Sequence, residues 1–412
     1  MRLRSLLLGV VAAGALTAPA HAQRFADVPL ELAQPAAAVA QVEREAHAGG
    51  RIAAFDHKQI HDLWEGLADN EPLRLRLLNA LATLNFAAID PLDQEDQFWE
   101  DHARLLAKAG APPREVLAAL KRLNGVDEQL GAALSPRFVA ARRLDEAWFE
   151  PRAVVMRAFA RADRLAVKET DRLSLVTRRA DLLERLGRPA EALARIDAAL
   201  LRVQVSPLTF SDQDGGLVNL RAERAFALWQ LGRFDEAIAE DRAVVEAARP
   251  REGYDGWADN MLVSHLAADG RAQAALKALD YFLYRPAGHL GDWVVARSAC
   301  VNVQLSRLTA ARRDLKDLET DTAPARTYAL LCLDDLDAAA ASYKTRLADP
   351  DAAPWAIQAL SARVRPKALG GWDAVMLDRQ AEVAARPDVQ AALVAAGGAR
   401  KSPLTPSGGE TW

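Results

Sequence analysis

The chain runs to 412 residues, 50% hydrophobic and 26% charged, with 52 Lys and Arg against 56 Asp and Glu. This is the composition of a folded protein, and a net charge of −4 supplies no cationic surface for nucleic acid. Aromatic residues make up only 6% while Ala, Leu and Arg are abundant, so helix formers prevail over strand formers and an all-α chain is expected.

Residues 1–22 read as a secretory signal peptide: Arg2 and Arg4 give a basic start, Leu6 to Ala18 an apolar core, and Ala20-His21-Ala22 a small-x-small cleavage site. No Cys follows to take a lipid anchor, and the apolar run is short for a permanent span, so the expected location is periplasmic or secreted, with cleavage after Ala22 and no transmembrane segment thereafter. Loss of Arg2 and Arg4 leaves 50 basic against 56 acidic residues, a mature charge of −6. Cys300 and Cys332 are the only thiols. An exported compartment permits a disulfide between them, while apolar neighbours such as Val301 and Leu331 suit two buried free thiols, the reading we favour from sequence.

A flexible leader is expected over 23–35, where Pro29 and Pro35 interrupt any helix. An N-terminal helical region, 36–165, follows. Its helices are predicted at Ala36 to His47, Asp56 to Leu67 and Leu73 to Leu84, then as a hairpin of Phe98 to Ala109 and Pro113 to Leu123 around Gly110, and finally at Arg137 to Trp148 and Pro151 to Leu165. The acids Asp90, Asp93, Glu95, Asp96, Glu100 and Asp101 lack the glycine and alternation of a calcium loop, and read as acids gathered at a helix start. Arg152, Arg157, Arg161 and Arg164 form a stripe interleaved with acids, expected as a solvated face. His57 and His61 share a helix face, but no third ligand accompanies them, so no metal site is assigned.

From Asp171 onward helical hairpins repeat. Aligning Gly187, Gly232 and Gly270 puts Ala180, Ala225 and Val263 in register, then Leu183, Leu228 and Leu266, and beyond each glycine Ala192, Ala237 and Ala275, where small residues suit close helix approach. Phe234 and Pro189 open second helices, and Asp241 stands where an apolar residue is wanted. This order of small residue, leucine, turn glycine, aromatic and packed alanine resembles the tetratricopeptide repeat, well over 174–284 and fairly to 347. The resemblance implies an α-solenoid of antiparallel helix pairs, a right-handed superhelix, over 171–347. The spacing departs from the family's ~34 residues: Gly187 to Gly232 spans 45, the excess lying in Val205 to Gly216, which reads as an inserted surface loop of the kind that confers specificity. Hairpins at Trp293 to Glu319 and Ala325 to Leu347 lack the turn glycine. C-terminal helices over 348–396 and a disordered tail over 397–412 complete the chain.

No nucleophile elbow, phosphate loop, His-Glu-x-x-His or dinucleotide fingerprint occurs, so neither catalytic residues nor cofactors are assigned. The expected function is that of a non-catalytic interaction scaffold of the bacterial cell envelope, binding a protein or peptide partner through the concave face, where first-helix residues Asn219, Phe226, Trp229, Gln230, Trp257, Asn260 and Ser264 are the candidates. Phe226 and Trp257 equally suit inter-repeat core. The alternatives are a cell-wall-active lyase or hydrolase with a helical superstructure, which needs an isolated buried acid, and a self-associating scaffold.

Overall fold

The computed structural model describes residues 30, 32–48, 57–84, 94–206, 209–251, 254–283, 291–318, 324–361 and 368–398. The expected signal peptide, most of the leader, the acids Asp90 and Asp93 and the tail beyond Gly398 lie outside the described residues. Every described element is helical. The chain divides into two compact units, Met1–Pro91 and Leu92–Trp412.

The first unit holds α1 (Pro35–His47), α2 (His57–Gly66) and α3 (Glu71–Thr83). Asn70 caps α3 by accepting from the Leu73 amide, and Glu71 and Pro72 follow in its first turn, where an acid meets the positive helix end and a missing N–H costs nothing. Helices α1 and α3 pack together and are joined by a bidentate Arg76–Glu43 pair at 2.9 and 2.6 Å.

The second unit opens with α4 (Gln94–Lys108) and α5 (Pro113–Leu120), a hairpin turning at Gly110. Next comes α6 (Val126–Leu134), a helix the sequence reading passed over. The single helix expected over Arg137 to Trp148 is instead a 3-10 turn, Pro136–Phe138, and a six-residue α7 (Val139–Leu144). Asp145 ends it: its carboxylate accepts from the Trp148 amide and takes Lys121 at 2.7 Å, an Asx-type turn that competes with helix continuation. Helix α8 (Pro151–Lys168) then packs on the first helix of the repeating region.

Five hairpins follow: α9 (Leu173–Arg185) with α10 (Pro189–Val205), α11 (Gln213–Gln230) with α12 (Phe234–Ala248), α13 (Trp257–Ala268) with α14 (Ala272–Leu283), α15 (Gly291–Gln304) with α16 (Leu308–Asp317), and α17 (Pro324–Cys332) with α18 (Leu336–Ala348). All five turn in the same way. The residue at the turn is left-handed, with φ of 71° at Gly187, 76° at Gly232, 80° at Gly270, 59° at Ser306 and 62° at Asp334, and the next amide reaches back to the carbonyl five residues earlier, as Arg188 does to Leu183 and Arg307 to Asn302. Ala180, Ala225, Ala192, Ala237 and Ala275 have no exposed surface, so the first three hairpins close on small residues.

Asp241 does not loosen α12. It is fully buried and accepts from His265 Nδ1 of α13 at 2.7 Å, so a polar link between successive hairpins replaces the apolar contact expected there. Cys300 and Cys332 form a disulfide that ties α15 to α17, in place of the free thiols favoured from sequence.

The C-terminal helices α19 (Ala353–Leu360), α20 (Gly371–Ala385) and α21 (Pro387–Ala395) turn back over the hairpins. Helix α20 packs on α13, α17 and α18; a Cβ added at Gly370 would stand 2.3 Å from the Ala268 carbonyl oxygen, so only glycine fits there. Arg379 donates to the Leu331 and Cys332 carbonyls at 2.8 Å each, satisfying the C-terminal end of α17. Helix α19 packs on α6, Leu134 joins the C-terminal apolar cluster and Arg137 pairs with Asp351 at 2.9 Å, so the last helices meet the first ones of this unit.

Candidate functional site: an acid-walled cavity

A cavity of about 750 Å³ opens between α6, α9 and the start of α11. Helix α6 is held in place from several sides. Asp96 of α4 is buried and accepts from the Asn124 and Gly125 amides just before α6; Arg157 of α8 donates to Gln129 Oε1 at 2.9 Å and Arg161 to Asn124 Oδ1; Arg142 donates to the Ala133 carbonyl at 2.7 Å near the helix's C-terminal end. Asp96 therefore works across helices, beyond a role at its own helix start. Arg157 and Arg161 are structural ties and not members of a solvated stripe, of which only Arg152 and Arg164 keep the expected exposure. With its N-terminus so placed, α6 presents Asp127 and Glu128 to the cavity.

Helix α9 contributes Ser174, Thr177, Arg178 and Asp181, the spacing of one helix face. Asp212 caps it, accepting from the Leu173 and Ser174 amides at 2.6 and 2.9 Å. The segment 205–216 is thus only partly the surface loop expected: Phe210 is buried, Gln213 to Gly216 form the first turn of α11, and a Cβ at Gly216 would come within 2.8 Å of Leu173 Cβ. From α11, Asn219 and Glu223 complete the wall at i, i+4 spacing.

Six acids line this cavity, Asp127, Glu128, Asp181, Asp212, Asp214 and Glu223, against the single base Arg178. Behind them Arg185 bridges Asp181 (3.0 Å) and Asp127 (2.7 Å), and Glu184, with no exposed surface, accepts from Gln230 Nε2 at 3.3 Å while its Oε1 takes no hydrogen bond. Burial raises the Glu223 carboxyl to about 8, and the Asp181 charge adds to the rise. Burial likewise lifts Glu184 well above the carboxylate range, helped by Glu223 and Asp181, and lifts Asp181 more than Arg185 lowers it. On the neighbouring α4, Glu100 is raised by burial and then by Glu128. Of these acids only Glu184 is fully buried; Glu128, Asp181, Asp212 and Glu223 are half-buried, and Asp127 and Asp214 are exposed at the cavity's mouth.

Of the seven residues singled out from sequence, Asn219 alone lines the cavity. Phe226 and Gln230 continue its face of α11, Phe226 meeting the His265 ring edge-on at 5.3 Å and Gln230 holding Glu184. Trp229, 6% exposed, stacks on His265 at 4.3 Å. Trp257 packs against the apolar core, Asn260 accepts from Arg297 of α15, and Ser264 donates to the Asn260 carbonyl at 2.8 Å. Asp127, Glu128, Asp181 and Glu223 were missed; Glu223 was within reach, since it lies four residues from Asn219 and three from Phe226 on the face already chosen.

His61 approaches Glu65 at 3.7 Å, and the His57 side chain lies outside the described residues. Among the described residues no three His, Cys, Asp or Glu converge as metal ligands, and no helix is long and apolar enough to cross a membrane. No family model matches the chain, and no curated protein matches it with significance.

Proposed function

We propose that this protein is a non-catalytic interaction scaffold of the bacterial cell envelope, a tetratricopeptide-like array that receives a protein or peptide partner on the concave side of its first helices. The observation that carries the reading is the cavity between α6, α9 and α11, a concave, polar-walled space built from helix faces of successive hairpins. Farther along the array, α20 lies on α13 and α17, and Asn260 is engaged by Arg297, so the mouth near Asn219 is where a partner enters. A photo-crosslinking residue at Asn219 should capture a discrete partner in envelope extract, whereas one at Leu201, exposed on α10, should not. Equal labelling from both positions would remove the site.

One observation favours a second reading, a cell-wall-active hydrolase or lyase. Glu223, protonated at neutral pH within a cavity, has the character of a general acid. Turnover of peptidoglycan by the purified chain, abolished in Glu223→Gln, would establish that reading in place of the scaffold.

A further inference from the structure

Three arginines are buried among the described residues, Arg142, Arg185 and Arg346, and the first two have evident partners. Arg142 donates to the Ala133 carbonyl, and Arg185 is shared by Asp181 and Asp127. Arg346, in the last turn of α18, is the most deeply buried at 1% exposure, and both its Nε and its Nη2 are enclosed without a hydrogen-bond partner. We infer that Arg346 is the receptor of a carboxylate site beside Trp355, the ligand meeting the Nε–Nη2 edge of the guanidinium side-on. This goes beyond the scaffold reading and does not depend on it.

The shape of that edge names the ligand, since the Nε and Nη2 donors run parallel and match the two oxygens of a carboxylate. The chain uses the same two atoms in this way elsewhere. Arg76 grips Glu43 at 2.9 and 2.6 Å, Arg188 grips Glu191 at 2.7 and 2.6 Å, and Arg233 grips Glu236 at 2.7 and 2.6 Å. Those pairs are exposed and screened by water, whereas Arg346 offers its fork out of water, where a donor without an acceptor is costly and a charge-assisted bond is strong.

What surrounds Arg346 does not supply that acceptor. Its guanidinium carbon stands 4.7 Å from the centre of the Trp355 ring, and Tyr343, one turn earlier on α18, stacks on the same indole at 5.5 Å. Such a ring attracts the cation but brings no oxygen to its N–H edge. The acids closest along the chain are engaged elsewhere: Asp349 accepts from the Asp351 amide at 2.9 Å, and Asp351 pairs with Arg137 at 2.9 Å. Burial lowers the Arg346 guanidinium to about 10, with the Tyr343 phenol acting against it, so the group carries its charge at neutral pH. Trp355 is itself only half-buried, and its indole is the part of the cover that gives way to a compact ligand.

The test is thermal melting of the full chain at constant ionic strength against sodium acetate, neutral acetamide, inorganic phosphate and a capped Gly-Glu-Gly peptide. Acetate should raise the melting midpoint in a saturable way, and acetamide should not. Arg346→Lys, which keeps the charge and loses the fork, should weaken acetate roughly tenfold or more, the loss of one charge-assisted hydrogen bond. Arg346→Met should abolish the response; if that variant does not fold, Arg346→Lys decides. Acetate bound more tightly than the peptide assigns the ligand to a free small carboxylate, and the reverse order to an acidic side chain of a partner, both in support of a carboxylate. Equal responses to acetate and acetamide, phosphate bound more tightly than either carboxylate, or undiminished acetate binding in the Arg346 variants would overturn the inference. Capture of a partner from Asn219 is unaffected by any of these results, so the failure of this site and of the scaffold reading are separable.

Discussion

Glu223 and Asp241 are both acids in the middle of packed helices, and their surroundings give them different consequences. Asp241 has a partner of its own: His265 donates to it, and Trp229 stacks on the far side of that imidazole. Removing one member of such a buried pair costs about 3–5 kcal/mol. Asp241→Ala should therefore lower unfolding free energy by about that amount in urea titration, and the loss should shrink when His265 is also replaced by Phe; an unchanged loss in the double variant would mean that the pair is not the cause. Glu223 sits instead among other acids, and its folded pKa of about 8 stands above its unfolded value. The folded state then binds more protons than the unfolded one between roughly pH 4.5 and 8, so this group's contribution to stability is greatest at the acid end of that window and is lost as pH rises through it. Thermal midpoints of the free chain should fall across the window, by about 2–4 °C for each kcal/mol lost, and Glu223→Gln should flatten that fall. A steeper slope in the variant would refute the assignment. Neither role was legible in the sequence: Asp241 stood out only as a departure from an apolar position, because its partner lies one hairpin on, at His265.

At the scale of the element, the turns show most plainly what sequence can and cannot reveal. Gly110, Gly187, Gly232 and Gly270 announce their hairpins because a left-handed backbone favours a residue without Cβ. Ser306 and Asp334 adopt the same conformation and make the same backbone bonds, yet carry no such signal, which is why those hairpins looked weaker than they are. The strain is testable. Ser306→Gly should raise stability by about 0.5–1 kcal/mol in denaturant unfolding, the relief of a left-handed residue net of glycine's entropy. Asp334→Gly should gain less, because Asp334 also pairs with Arg379 at 2.9 Å. Helix α6 is the opposite case, an element with too little pattern to be read. It has only nine residues, begins after Gly125, contains Gly131 and is followed by Pro136, so its identity as a helix depends on Asp96, Arg142, Arg157 and Arg161 from three other helices. With α6 unread, Asp127 and Glu128 had no place, and one wall of the cavity was invisible.

Across the second unit as a whole, hairpins stacked in sequence order would by themselves make an open array, in which each unit touches its neighbours and the ends fray independently. Two features tie it more tightly, one between neighbouring hairpins and one between distant parts. The Cys300–Cys332 bridge closes a loop between α15 and α17, with a sequence separation of 32. Its removal in a Cys300→Ser, Cys332→Ser variant should cost about 3–4 kcal/mol by chain entropy, read as a lower denaturation midpoint in urea. The return of α19 onto α6 is the second feature, and no local pattern foretells it, since it joins segments more than two hundred residues apart along the sequence.

That return makes a specific demand on cooperativity. Leu134, 7% exposed, ends α6 and belongs to the apolar cluster of the C-terminal helices, with Ala356, Ile357 and Leu360 of α19 in the same cluster. Truncating such a buried leucine costs about 2–5 kcal/mol. In an open array the damage from Leu134→Ala would stay near α6 and α8, the helix it packs on. Where the last helices lean on the first, the same substitution should speed amide hydrogen exchange in α19 as much as in α6, while α12, remote from the contact, keeps its protection. Faster exchange confined to α6, with α19 as protected as before, would show that the contact carries no coupling and that the cavity depends on its neighbouring helices alone.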